Sequence, residues 1–243
     1  MLPTILFLAT TCAFNAAPTI IEQSESALYE SWTLANGTGL LAAGRPAGET
    51  YTAFLAWVRA GVDPEQTALL ERQRKIYAQA GMPEEVKKFD LILKHQAGRI
   101  HPSHCLEQLL FNEHLVRQKS VAAQTEFAAL ILTRGTDLKI YFTSGFQMSP
   151  PTLSRFDDVL TADLATGWSL TSLLHNHIFF FGNAPGDIAG TTIPSNPDVE
   201  TFLNYARRFQ LKEAWITNGI DSITMTAREF ELFRLTGSGF LPE

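Results

Sequence analysis

The chain has 243 residues, enough to bury a sizeable core in one large domain or two small ones. With 45% hydrophobic and 18% charged residues, its composition is that of a soluble globular protein. A net charge of −6 and the lack of any Lys/Arg cluster interleaved with aromatics argue against a nucleic-acid partner.

The first charged side chain is Glu22. Before it, the apolar run Ile5-Leu6-Phe7-Leu8-Ala9 leads into a small-residue zone with Ala13, Ala16 and Ala17. Residues 1–17 therefore read as a cleavable export signal, although no Lys or Arg precedes the apolar run. Thr10, Thr11, Cys12 and Asn15 make the segment too polar for a membrane span. The expectation is a secreted or periplasmic protein with no stable membrane span after cleavage. Cys12 would leave with the signal, and Cys105 alone forms no internal disulfide.

Residues 18–100 read as a helical N-terminal region. Ser24 to Trp32 suggests one short helix, broken by Ala35-Asn36-Gly37-Thr38-Gly39. Tyr51, Phe54, Leu55 and Val58 share one helical face that ends at Gly61. Asp63-Pro64 marks a second start, with Asp63 as cap, and Pro83-Glu84-Glu85 a third. No chemistry is evident in this half.

Residues 101–243 change in texture. Ser103 is placed to cap a helix from Leu106 to about Gln118. Phe127 to Leu132 is a buried-strand run, and Leu138 to Thr143 alternates as its partner. Ser149-Pro150-Pro151 opens a helix through Phe156 and Leu160, and Leu170 to Ile178 is a third strand. Asp198 to Phe209 is helical. Ala214–Thr217 and Ile220–Thr226 form a hairpin around Asn218-Gly219, a pair suited to a type I′ turn. Strands and helices mix without strict alternation, so the fold class is α+β, a mixed sheet flanked by helices.

The chemistry concentrates in His175-Asn176-His177 and Ser195-Asn196-Pro197-Asp198. Residues two apart on a strand point to one face, so His175 and His177 present paired imidazoles, and Asp198 offers a third zinc ligand. Their apolar neighbours make two unpartnered imidazoles costly. Ser195-x-x-Asp198 is also a helix capping box, a role compatible with facing a cleft. A hydrolytic zinc site needs a carboxylate base, and Glu126 stands at the mouth of the Phe127–Leu132 strand; Glu113 is its rival. His101-Pro102-Ser103-His104-Cys105 fits no familiar zinc spacing and reads as structural.

A Glu at a strand start, then H-x-H, then S-x-x-D opening a helix resembles the JAMM (MPN-type) zinc metalloproteases over about residues 101–230. The resemblance implies a cytidine-deaminase-like layering of the sheet and helices. It implies Zn2+ held by His175, His177 and Asp198, with Glu126 as general base and Ser195 stabilising the oxyanion. The substrate class it implies is a peptide or protein amide bond, cleaved by a metallopeptidase or isopeptidase. Three features depart from the family: Ile178 stands where it has proline, the segment from His177 to Ser195 is longer, and no glycine-rich pattern follows the Glu. Asp187 is an alternative third ligand, and the inserted Phe179–Gly190 loop an alternative flap or core element. Non-catalytic binding by the same fold is the competing function.

Overall fold

The structure is a computed structural model that describes residues 12–42, 48–146, 152–179 and 190–234. Its centre is an eight-stranded mixed sheet: β1 (Thr19–Gln23), β2 (Ala27–Leu34), β3 (Arg99–Pro102), β4 (Phe127–Arg134), β5 (Asp137–Gly145), β6 (Ser169–Asn176), β7 (Glu213–Thr217) and β8 (Asp221–Thr226). The spatial order is β1-β2-β5-β4-β6-β7-β8-β3, and only the β6–β7 pair is parallel. The helices are α1 (Glu49–Gly61), α2 (Gln66–Gln79), α3 (Pro83–Leu93), α4 (Cys105–Leu115), α5 (Asp157–Ala165) and α6 (Asn196–Phe209). The α+β class and mixed sheet agree with the sequence pattern.

Both faces of β4 are covered, which explains its unbroken apolar run. Leu130 and Leu132 pack with Leu173, Ile216, Val199 and Phe202, which places α6 on one face. Phe127, Ala129 and Ile131 pack with Phe54, Leu110, Phe111 and Trp215, which places α1 and α4 on the other. No helix among the described residues is long and apolar enough to cross a membrane.

Several local expectations are overturned, each by a longer-range or better-placed partner. Ser24–Trp32 is not a helix. Ser24 Oγ accepts from Ala27 N at 3.0 Å, turning β1 into β2, and residues 27–34 pair with β5 along their length. Residues 18–100 thus supply β1, β2 and the start of β3 to the sheet as well as three helices. Glu65, not Asp63, caps α2, accepting from Thr67 N and Ala68 N, while Asp63 accepts from Glu65 N. His104 precedes α4 as its cap, and Ser103 instead bonds Thr217 and Ser222 at 3.0 and 2.9 Å. The β7–β8 connection is not type I′. That turn requires positive φ at both central residues, and of Asn218 and Gly219 only Gly219 (φ 86°) has it. Asn218 Oδ1 instead accepts from Ile220 N and Asp221 N. Ser149–Pro151 lies outside the described residues; beyond it a 3-10 turn, Leu153–Phe156, leads into α5.

Cys12 and Cys105 form a disulfide, so oxidation does bear on this fold, contrary to the cysteine count taken after cleavage at residue 17. Phe14 also stacks on Trp32 with ring centroids 5.0 Å apart. Cleavage after Ala17 would remove both contacts. Residues 1–11 lie outside the described chain.

His114 on α4 is buried between β5 and the approach to β4, its Nε2 2.8 Å from the Thr125 carbonyl and its Nδ1 2.8 Å from Ser144 Oγ. Burial pushes its pKa down to about 4. The unfolded chain therefore binds a proton that the folded chain refuses between about pH 6.5 and 4. Stability is expected to fall as pH drops through that window, by on the order of 3 kcal/mol. Urea unfolding of the protein and of His114→Gln between pH 7.5 and 4.5 checks this: the slope should flatten in the variant.

Candidate metal centre

β6 delivers the two histidines. His175 is its penultimate residue, pairing with Ala128 of β4 and Ile216 of β7; His177 follows just beyond the strand, its N–H bonded to Thr217 O at 2.9 Å. Both rings are buried. Each spends Nδ1 on a backbone carbonyl: His175 on Phe127 O and His177 on Thr191 O, both at 3.0 Å. A carbonyl only accepts, so Nδ1 carries the hydrogen in each ring and Nε2 is left to face the centre.

Both Nε2 atoms face Asp198. Asp198 Oδ1 lies 3.6 Å from His175 Nε2, and Oδ2 lies 3.2 Å from His177 Nε2. Two neutral imidazoles would turn lone pairs toward a carboxylate, so this arrangement calls for a cation, either protons or a metal. A tetrahedral zinc with bonds of about 2.0–2.1 Å separates its ligand atoms by about 3.3 Å, close to what these three side chains show. One ligand atom from each lies within 4.8 Å of the others. The donor set suits zinc.

The capping box at α6 fixes Asp198. Ser195 N and Ser195 Oγ both donate to Oδ2 at 2.7 Å, and Asp198 N donates back to Ser195 Oγ at 3.3 Å. Capping and facing the cleft are thus one arrangement. Burial alone would raise the Asp198 pKa, but His175, His177 and Ser195 hold it well below the carboxylate range. Burial would lower that of His177, yet Asp198 and Glu126 raise it.

Glu126 Oε1 lies 4.0 Å from His175 Nε2. Burial raises its pKa, opposed by the two histidines and reinforced by Asp198. Glu113 sits elsewhere, paired with Arg117 at 3.2 Å. The structure thus brings His175, His177, Asp198, Glu126 and Ser195 together. Asp187 and residues 180–189 of the insertion lie outside the described residues; Phe179, at its start, is buried against Phe54. Trp168 stands at the opposite end of β6 under Arg134 and Lys139, a packing role.

Two supporting residues were not anticipated. Asn176, between the histidines, accepts from Phe127 N at 2.5 Å and donates to Thr125 O at 3.2 Å, clamping the peptides on either side of Glu126. Lys88 of α3 is buried, with Nζ 3.2 Å from Pro194 O, 2.9 Å from Asn196 Oδ1 and 3.3 Å from Glu85. Burial lowers its pKa, against the pull of Glu85 and Asp198. It holds the segment that carries Ser195 and Asp198, so the helical half does serve the site. Its signal was a lysine in the stripe Lys88, Phe89, Ile92 that α3 buries. Lys88→Met should cost about 1–3 kcal/mol by stranding the Pro194 carbonyl, read from urea midpoints, and should weaken zinc retention.

Beside His175 and Asp198 opens a cleft of about 300 Å3, walled by Leu153, Leu173, Pro197 and Phe202, with Tyr205 and Arg208 also lining it. No family model matches the chain, and no curated protein or solved structure resembles it significantly.

Proposed function

We propose that the protein is a zinc-dependent hydrolase of amide bonds, a metallopeptidase or isopeptidase of JAMM (MPN-type) character. The observation that carries this reading is the pair of histidines whose Nδ1 atoms are tied to carbonyls while both Nε2 atoms face Asp198, with a second, half-buried carboxylate 4.0 Å from His175. When bound by His175, His177 and Asp198, zinc supplies Lewis acidity that polarises the amide carbonyl and acidifies water.

The protein's own groups do the rest. Glu126, with its proton affinity raised by burial, accepts a proton from the attacking water and returns it to the leaving amine. Asn176 and His114 fix the backbone on either side of that glutamate. Ser195 has one hydroxyl proton and gives it to Asp198, so its first assignment is to orient that carboxylate; an oxyanion role requires that bond to swing away. The apolar cleft takes an aliphatic or aromatic substrate side chain next to the scissile bond.

Export would place the protein in an oxidising compartment, where the Cys12–Cys105 bond persists only if cleavage falls before Cys12 and not at residue 17. Intracellular ubiquitin-like conjugates are therefore not proposed as substrates. The test is a peptide mixture of random sequence, incubated with the zinc-loaded protein and read by mass spectrometry. Chelator-sensitive cleavage clustered next to apolar residues is expected. A zinc-loaded, folded protein that cleaves no peptide sinks the hydrolase and favours a binding module.

A further inference from the structure

His101, His104 and Glu107 gather on the sheet face opposite Asp198. His101 Nε2 is 2.8 Å from Thr224 Oγ1, and His104 packs against Trp215, 6.0 Å between ring centroids. Thr224 is in register with Trp215, which belongs to the core under α1 and α4, whereas Asp198 lies on α6 across the sheet. The imidazoles of His101 and His104 lie 4.4 Å apart, and one donor atom from each of the three residues falls within 4.8 Å of the others.

Glu107 makes the cluster more than a helix cap. Its side chain is fully buried. Oε2 accepts from His104 N at 2.6 Å, which completes the cap, but Oε1 is buried with no hydrogen-bond partner among the described residues. His104 Nδ1 is likewise buried without an aligned hydrogen bond, although it stands 2.9 Å from Oε2. A buried carboxylate oxygen left bare is costly unless a cation or donor meets it. His101 Nδ1 lies 2.9 Å from the Pro102 carbonyl, so Nδ1 carries the hydrogen and Nε2 keeps its lone pair. That tautomer matches the one seen at His175 and His177. Glu213 adds negative field at His104 and Arg99 opposes it.

We propose that His101, His104 and Glu107 form a second site for a divalent transition cation of the zinc class, separate from the centre on α6. Its His2Glu donor set leaves a position for solvent on the side where the two rings are half-exposed. A cation there ties the end of β3 to the start of α4, beside the Cys12–Cys105 link. Thr224 yields its hydrogen bond to His101 when the cation binds.

The protein equilibrated with zinc and desalted is analysed for metal by mass spectrometry, with fold checked by near-UV circular dichroism. Two zinc ions per chain are expected, with one lost in His101→Ala and one lost in Glu107→Gln. His175→Ala should keep one ion, and adding His101→Ala should remove it. His101 packs against the His104 ring but takes no part in the hydrogen bond that caps α4, so His101→Ala keeps the test valid if Glu107→Gln fails to fold. A single ion that depends on His101 and not on His175 still supports the site. A zinc content that His101→Ala leaves unchanged, or no bound zinc at all, overturns it.

Discussion

Glu126→Gln is expected to lower kcat/KM for peptide cleavage by about 10^2–10^4-fold, the range for loss of a general base, with zinc content unchanged. The substitution preserves shape and removes only the capacity to take a proton. Glu126 lies 4.0 Å from His175 Nε2 and is the second carboxylate in reach of the pair, while Asp198 already meets both rings. The base works only when ionised, so the acid limb of the pH profile reports its protonation. In the variant that limb should vanish. The measurement is steady-state cleavage of a peptide taken from the mixture, across pH 4 to 9. Activity within a few-fold of the parent would assign the base elsewhere.

Breaking the Cys12–Cys105 bond is expected to cost about 2–4 kcal/mol of unfolding free energy. The bond closes a span of 93 residues containing β1 to β3 and α1 to α3, which makes the unfolded chain much freer once it is cut. Cys105 is also the first residue of α4, the helix that carries His114 toward Glu126. Urea unfolding of the protein with and without reductant, and of Cys12→Ser, reads the effect. Coincident midpoints, or a free thiol on Cys105 in the non-reduced protein, would remove the bond from the account.

What the sequence made legible were features encoded locally. Two histidines on a period-two strand among apolar neighbours, and a Ser–Asp capping box at a helix start, carry their geometry in their spacing, and the fold adds only their meeting. Glu126 is readable because an acid directly before the apolar run Phe127–Leu132 is conspicuous. Features set by distant partners were not legible. Residues 27–34 satisfy a helical pattern loosely but gain a complete ladder from β5, more than a hundred residues later, and tertiary pairing overrides local preference. Lys88 finds its partners at Pro194 and Asn196, and Cys12 finds Cys105, across spans that carry no periodic trace. Asn176 carries no signal of its own, because its histidine neighbours account for the strand without it. The Asn218-Gly219 pair misled because the asparagine caps the turn with its side chain instead of adopting a positive φ.

The most direct measurement is X-ray diffraction from crystals grown with zinc, with data collected on either side of the zinc absorption edge. An anomalous peak about 2.0–2.2 Å from His175 Nε2, His177 Nε2 and a carboxylate oxygen of Asp198, with Glu126 close by but not bonded to it, is the predicted result. Crystals in which those four side chains are ordered and no anomalous peak lies between them would contradict it.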